Sequence, residues 1–342
     1  MKKYILIILV TLAALAGCAK TEPAVSYGKA VSFQVGQYSQ GTKAAVSLDS
    51  ENISSFRSKG FLHGVGVDGT QDFFGTAGET ISYDSTVPEW APASHPYYWP
   101  KSSESYVDFV SWYDKNGEPD NVAGISETAI SWTIDGSSRS LAADDNIMIA
   151  DEAWRYVSDE VPTLFHHLLA QIRFVAKPKT LSKDGTTWTI TVRNFRLSNI
   201  YTTGSISLSN ADPLSGPSTV AWTGDWVTSG TTTTLAGSTL DTVLAADGSD
   251  LLAWHSVIPQ NVGSAYISFD YTIRTVYDAQ NYIEETASTG NLRISNFGAA
   301  ASVWEKNKKL TYTITIDPEY AQILIDPVSE DWTYASTVIS LE

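Results

Sequence analysis

Five histidines and 38 acidic residues are the groups in this chain most suited to proton transfer or metal binding, so their spacing is read first. The histidines are His63, His95, His166, His167 and His255. The adjacent pair His166 and His167 offers two nitrogens, but neighbouring residues point apart on either a helix or a strand. No further histidine or carboxylate follows at ligand spacing. The stretch "DKNGEPD" places Asp114, Asn116, Glu118 and Asp120 at alternating positions, as a calcium loop does. Its sixth position is Pro119 instead of glycine and its twelfth is Ser126 instead of glutamate, so a hairpin turn fits better. "ADDN", Ala143 to Asn146, with Asp151 beyond it, could share a cation; equally, these are the polar residues expected to bound an apolar strand "NIMIA". There is no G-x-S-x-G elbow, no H-E-x-x-H and no phosphate-cradling glycine loop. A glycosidase needs only two carboxylates at the right separation in space, which position along the chain does not fix. The reading is that the chain is not an enzyme and holds no metal and no cofactor.

One further group has distinctive chemistry, the single thiol of Cys18. Before it, Lys2 and Lys3 precede the uncharged run "YILIILVTLAALA", Tyr4 to Ala16, which is shorter than the roughly 20 residues that span a bilayer. The run reads as a signal peptide, and "LAGC" resembles the bacterial lipobox. There the sulfur is alkylated with a diacylglyceryl group, the peptide is cut before the cysteine and the new amine is acylated. Residues 1–17 are then the signal peptide and 18–30 a lipid-anchored linker. Burial contributes about 0.8 kcal/mol per methylene, so two or three acyl chains hold a protein on a membrane surface where one does not. Cleavage removes Lys2 and Lys3, so the formal charge of −16 becomes −18. That charge repels phosphate backbones and offers anionic lipid no basic patch, which excludes nucleic acid as a partner and leaves attachment to the acyl chains. With the single thiol alkylated no disulfide can form, so stability must come from apolar cores. Roughly 320 residues suffice for two, since single cores stop growing at about 250–300 residues.

The elements that must carry these groups read as strands. In "VSFQV" Val31, Phe33 and Val35 share one face; in "TWTITV" Trp188, Ile190 and Val192 do; in "LTYTITI" Leu310, Tyr312, Ile314 and Ile316 alternate with threonines. "YVDFVSWY", "NIMIA", "AYISFDYTIRTV" and "QILID" are further strands, separated by turn signals such as "KDG" and "STG". "VPTLFHHLLA" breaks the pattern: Val161, Leu164, Phe165, Leu168 and Leu169 follow helical spacing, and Pro162 suits a first turn. The boundary between two antiparallel β-sandwich domains is placed there, giving 31–160 and 161–342, with "ADPLSGPS", Ala211 to Ser218, an equally good loop by composition. The aromatic residues Tyr97, Tyr98 and Trp99, with Trp90, Trp112 and Trp132, could form a sugar-stacking platform. Large aromatics also fill sandwich cores, and alternation points Tyr98, Val107 and Phe109 inward.

Taken in order, the lipobox, "VSFQVG", "YYWP" before "YVDFVSWY", "ADDNIMIA", "FHHLLAQIRFVA" and the closing "VWEKNKKLTYTITIDPEYAQILIDPVSEDW" resemble the fimbrillin, or Mfa-like, proteins of Bacteroidetes. The resemblance runs from Cys18 to about Trp332. It implies two transthyretin-like sandwiches, export as an outer-membrane lipoprotein, and a place among the subunits of an adhesive type V surface fimbria. It also implies that a trypsin-like protease cuts behind the first strand, removing that strand with its lipid, and that a C-terminal segment of another subunit fills the groove. The matching parts here are "VSFQV", the basic residues Lys43 and Arg57 behind it, and a tail at 333–342 that alternates at Ala335, Thr337, Ile339 and Leu341. The other reading is a lipid-anchored adhesin that binds glycan and never polymerises.

Overall fold

The computed structural model describes residues 28–38, 45–47, 53–64, 66–116, 122–137, 139–156, 160–210, 218–298, 302–332 and 338–339. Cys18, Lys43 and most of the tail lie outside them. Apart from one short 3-10 turn at Ile294–Phe297, the regular elements among the described residues are all strands, joined by turns and loops. No helix among them is long and apolar enough to cross a membrane.

Seven strands of the N-terminal half close on themselves: β1 (Ser32–Tyr38), β2 (Ser55–His63), β3 (Glu79–Asp84), β4 (Glu89–Pro92), β5 (Tyr106–Asp114), β6 (Ile147–Ala150) and β7 (Glu160–His167). The ring order is β1, β4, β3, β2, β5, β6, β7 and back to β1, so one of the expected sandwiches is a barrel. Its neighbours are antiparallel except β1 and β7, which run parallel from Ser32 opposite Glu160 to Gln37 opposite Phe165. The interior holds Val31, Phe33, Val35, Phe56, Ile81, Trp90, Val107, Phe109, Met148, Val161 and Phe165. Those positions alternate along their strands, which is why the sequence pattern finds them.

The expected helix at "VPTLFHHLLA" is not present. Residues 160–167 form β7, with Val161, Thr163, Phe165 and His167 buried and the residues between them half-buried. Those four positions hold a period of two inside a segment that also satisfies a helical one, and pairing with β1 and β6 decides between them. The chain leaves the barrel at Leu168 and Leu169. It enters a second, β-sandwich body whose strands include β8 (Ala170–Pro178), β9 (Thr186–Ile200), β10 (Ser249–Val257), β11 (Tyr266–Val276), β12 (Tyr282–Ser288), β13 (Lys308–Asp317) and β14 (Gln322–Asp331). One sheet has the order β10, β8, β13, β14, and the other centres on β9, β11 and β12. Between them pack Phe174, Phe195, Phe269 and Tyr312, with Phe174 stacked on Tyr312 at 4.5 Å. The "KDG" turn is a tight hairpin into β9, with Asp184 at φ 49° and Gly185 at φ 82°.

A third apolar cluster joins the two bodies. A bridging sheet of Val122–Ser126, Ala129–Ile134, Thr203–Ser209 and Trp226–Ser229 draws strands from both halves of the chain. Its residues Ile130, Trp132, Ile206 and Leu208 pack with Val110, Trp112, Ile147 and Ile149 from the outer face of the barrel. This second apolar face is why β5 is buried continuously from Val107 to Trp112.

Candidate strand-exchange site

β1 is a stave with a neighbour on each side. Besides β7 it meets β4 at Phe33 opposite Trp90, and folds back on Ala45–Ser47 through Gly36 opposite Ser47 and Tyr38 opposite Ala45. Its leading residues are held by Val31 N–H donating to Tyr97 O at 2.8 Å and Trp99 N–H donating to Lys29 O at 3.1 Å. Val31, Phe33 and Val35 are all nearly inaccessible. Phe33 sits at the centre of an aromatic group, edge-on to Phe109 at 5.5 Å and to Phe56 at 5.7 Å, and tilted to Phe74 at 6.5 Å. Burial of three such side chains contributes about 1.5–3 kcal/mol each. Removing β1 would therefore uncover one edge of β7, one edge of β4 and a slot lined by Phe56, Phe74, Trp90, Phe109 and Phe165.

The two basic residues behind β1 have different surroundings. Lys43 falls in the segment 39–44, outside the described residues. Arg57 lies within β2, opposite Thr80 of β3 and Trp112 of β5. Its guanidinium donates to Thr80 Oγ1 at 2.8 Å and Ala77 O at 2.6 Å. The part of the tail that is described, Val338–Ile339, pairs with the barrel and not with the C-terminal sandwich: Ile339 is opposite Ala45 and Val338 opposite Val46. Tail, Ala45–Ser47 and β1 are thus consecutive in one sheet.

A family model described as fimbrillin-like matches residues 66–332. The chain belongs to the fimbrillin-like family. Among solved structures, a fimbrial protein from Bacteroides vulgatus superposes with a TM-score of 0.56 at 14% identity, covering 89% of this chain and 100% of that one. The fimbrial anchor protein Mfa2 from Porphyromonas gingivalis is more distant, with a TM-score of 0.32 at 6% identity over 89% of this chain and 97% of its own. No curated protein sequence matches. Membership in a family of fimbrial structural proteins accords with a role other than catalysis.

The remaining chemical candidates of this fimbrillin-like chain mostly meet their partners within it. Asp145 of "ADDN" is fully buried and receives both terminal nitrogens of Arg139, at 2.6 and 2.7 Å; Arg139 also reaches Asp114 of "DKNGEPD" at 2.7 Å. Asp144 pairs with Lys115 at 2.6 Å, and Asp151 with His166 at 2.9 Å. Asp114, Asp144 and Asp145 thus pair with the chain's own Arg139 and Lys115, and Asp151 with an imidazole nitrogen. His166 and His167 do point apart: His167 is wholly buried, bonded through Nδ1 to Asn146 Oδ1 at 2.7 Å and stacked on Trp332 at 4.0 Å. Burial holds its pKa well below the usual histidine value, with the charges of Lys309 and His166 adding to the effect. Ser94 joins Glu79 and His95, but the hydroxyl lies between the other two, whereas a hydrolytic relay needs the imidazole in the middle. The aromatic platform does not form: Trp90, Trp99, Trp112 and Trp132 are buried, and Tyr98, expected inside, is the exposed member beside buried Trp99. Rings with both faces packed are not open to stack on sugar.

Sequence spacing missed two groupings. Arg139 is the only basic residue between Lys115 and Arg155, which was a readable sign that neighbouring acids would converge on it. His63, Asp108 and Glu127 also meet, with all three ligand atoms within 4.8 Å of one another.

Proposed function

We propose that this protein is a fimbrial subunit made as a lipoprotein anchored through Cys18, and that β1 is a removable stave whose place is taken by the tail of a neighbouring subunit. The observation that carries the reading is that β1 is both the described strand nearest the anchor and the one that closes the barrel. A single cut behind it separates lipid from body and opens the slot. Lys43 is the preferred cut. A protease must bind several residues in extended, accessible form, and Arg57 meets that need only if β2 is first pulled from both β3 and β5. The tail supports the donor role by alternating apolar side chains and by lying already beside the hairpin that β1 begins. Its attachment to Ala45 and Val46 within one chain is the resting arrangement, and the same segment of another chain is the assembled one. The partners are other fimbrial subunits, and the location is the cell surface, on the outer membrane before the cut and in the fimbria after it.

The test is limited trypsin digestion of the soluble chain followed by N-terminal sequencing and gel analysis without boiling. Cleavage after Lys43 should convert monomer into detergent-resistant oligomer, and deletion of Tyr334 to Glu342 should prevent the conversion while leaving the cut unchanged. Cut protein that stays folded and monomeric with its tail intact would overturn the strand-exchange reading and favour an adhesin that does not polymerise.

A further inference from the structure

We propose that His63, Asp108 and Glu127 form a divalent metal site, suited to Zn2+, between the outer face of the barrel and the bridging sheet. His63 ends β2 opposite Tyr106, and two residues earlier Phe61 lies opposite Asp108 of β5. His63 and Asp108 are therefore diagonal neighbours on the same side of the ladder, the side that faces away from the barrel interior. Glu127 comes from a different sheet, in the turn between Val122–Ser126 and Ala129–Ile134. The three residues thus arrive from three places in the chain.

The two separations from the imidazole nitrogen match the edges of a tetrahedral site, and all three ligand atoms lie within 4.8 Å of one another. His63 Nε2 is 3.2 Å from Asp108 Oδ2 and 3.4 Å from Glu127 Oε1. Zinc bonds to nitrogen and oxygen of about 2.0–2.1 Å, taken at the tetrahedral angle, place neighbouring ligand atoms about 3.3–3.4 Å apart. Nε2 is buried and makes no aligned hydrogen bond to either oxygen, as expected of a ring nitrogen oriented to coordinate an ion. The ring is held in place by stacking on Tyr106 at 4.7 Å and 9° between planes. Charge points the same way. The side chain of Asp108 has no exposure, and a carboxylate held out of water favours a cation close to it.

The site is not sealed. The side chains of His63 and Glu127 keep 16% and 19% exposure, enough for an ion to enter and for water to complete the coordination. One imidazole with two carboxylates suits zinc and its transition-metal neighbours better than calcium, which takes six to eight oxygens. The ion would act as a clip, since it ties the barrel's β2 and β5 to the turn of the bridging sheet.

The full chain, stripped with chelator and dialysed into metal-free buffer, is titrated with ZnCl2 by calorimetry, and Co2+ is used in parallel as an absorbance probe. The expected result is one saturable equivalent, a rise in melting temperature on loading, and affinity at least tenfold weaker in both His63→Gln and Glu127→Gln. Glu127→Gln is the decisive variant, because a turn residue with a near-isosteric replacement leaves the fold intact, as the near-ultraviolet signal of the tryptophans will report. Absence of saturable zinc binding by the folded wild-type chain overturns the proposal. Stoichiometric binding that is unchanged in both variants overturns it as well.

Discussion

Phe33→Ala tests whether β1 is a structural stave or a decoration. The ring is 2% exposed and touches three other rings of the barrel interior, so its removal leaves a cavity that those rings cannot fill without leaving their own strands. Truncation of a fully buried phenylalanine costs about 3–5 kcal/mol. Taken as a local opening of the barrel, that multiplies the open population by roughly 10² to 10³·⁵, at 1.4 kcal/mol per factor of ten. Hydrogen exchange read by mass spectrometry measures it directly. Amides of β7 that pair with β1 should lose two to three orders of magnitude of protection, while amides of β8 and β13, whose core shares no residue with the barrel interior, should hold theirs. For a body of this size the first thermal transition should fall by about 10 °C. Phe33→Leu should recover most of the loss. Unchanged protection in β7 together with an unchanged melting profile would refute the assignment of β1 as a closing stave.

Three other outcomes follow from the structure. Asp145→Asn takes the charge from a buried pair with Arg139 and should destabilise the fold by about 3–5 kcal/mol in urea unfolding; a loss below about 1 kcal/mol would show that Asp114 alone suffices. His167 and His255 both have pKa values lowered by burial, so the unfolded chain takes up protons at higher pH than the folded one. Stability should be level above about pH 6.5 and fall as the pH drops below it, by at most about 1.4 kcal/mol per unit for each histidine, and His167→Gln should flatten the slope. A urea midpoint independent of pH through that window would contradict the neutral burial of His167. Cys18→Ser should abolish incorporation of labelled fatty acid and leave an uncut precursor; equal labelling of the variant would remove the anchor from the account.

The strands were legible where one face is buried and the other wet. Leu310, Tyr312, Ile314 and Ile316 alternate with half-buried threonines, and β13 follows them residue by residue. β7 was misread because the apolar set 161, 164, 165, 168, 169 merges the end of one strand with the Leu168–Leu169 crossing into the next body, which imitates a helical period. Pro162 also looked like a helix start. It sits in the part of β7 not paired with β6, where a missing donor is tolerated. Closure of the barrel was not legible, because it depends on which strand edges find each other and not on any face pattern. The same holds for His63, Asp108 and Glu127. Register between β2 and β5 brings the first two together, and a turn from another sheet adds the third, so no spacing rule along the chain could gather them. Alternation placed Phe109 correctly inside but also placed Tyr98 there, whereas the bridge between Ala30 and Tyr98 turns Trp99 inward instead.

The parallel pairing of β1 with β7 has a consequence for the order of events in the cell. The first described strand is matched to one that appears about 130 residues later, and closing a loop of that length costs roughly 4 kcal/mol of chain entropy. The barrel therefore waits half-built while its opening stave is already available. Under the proposed strand exchange, the chain's own strand and a strand from a neighbour compete in that interval for the same vacancy. The tether decides the contest, since a connected segment acts as though present at millimolar concentration, far above a free neighbour. Cutting the connection removes that advantage without altering a single contact. Under the proposed strand exchange, self-completion and polymerisation are one reaction run at two effective concentrations, and the covalent link behind β1 sets which product forms.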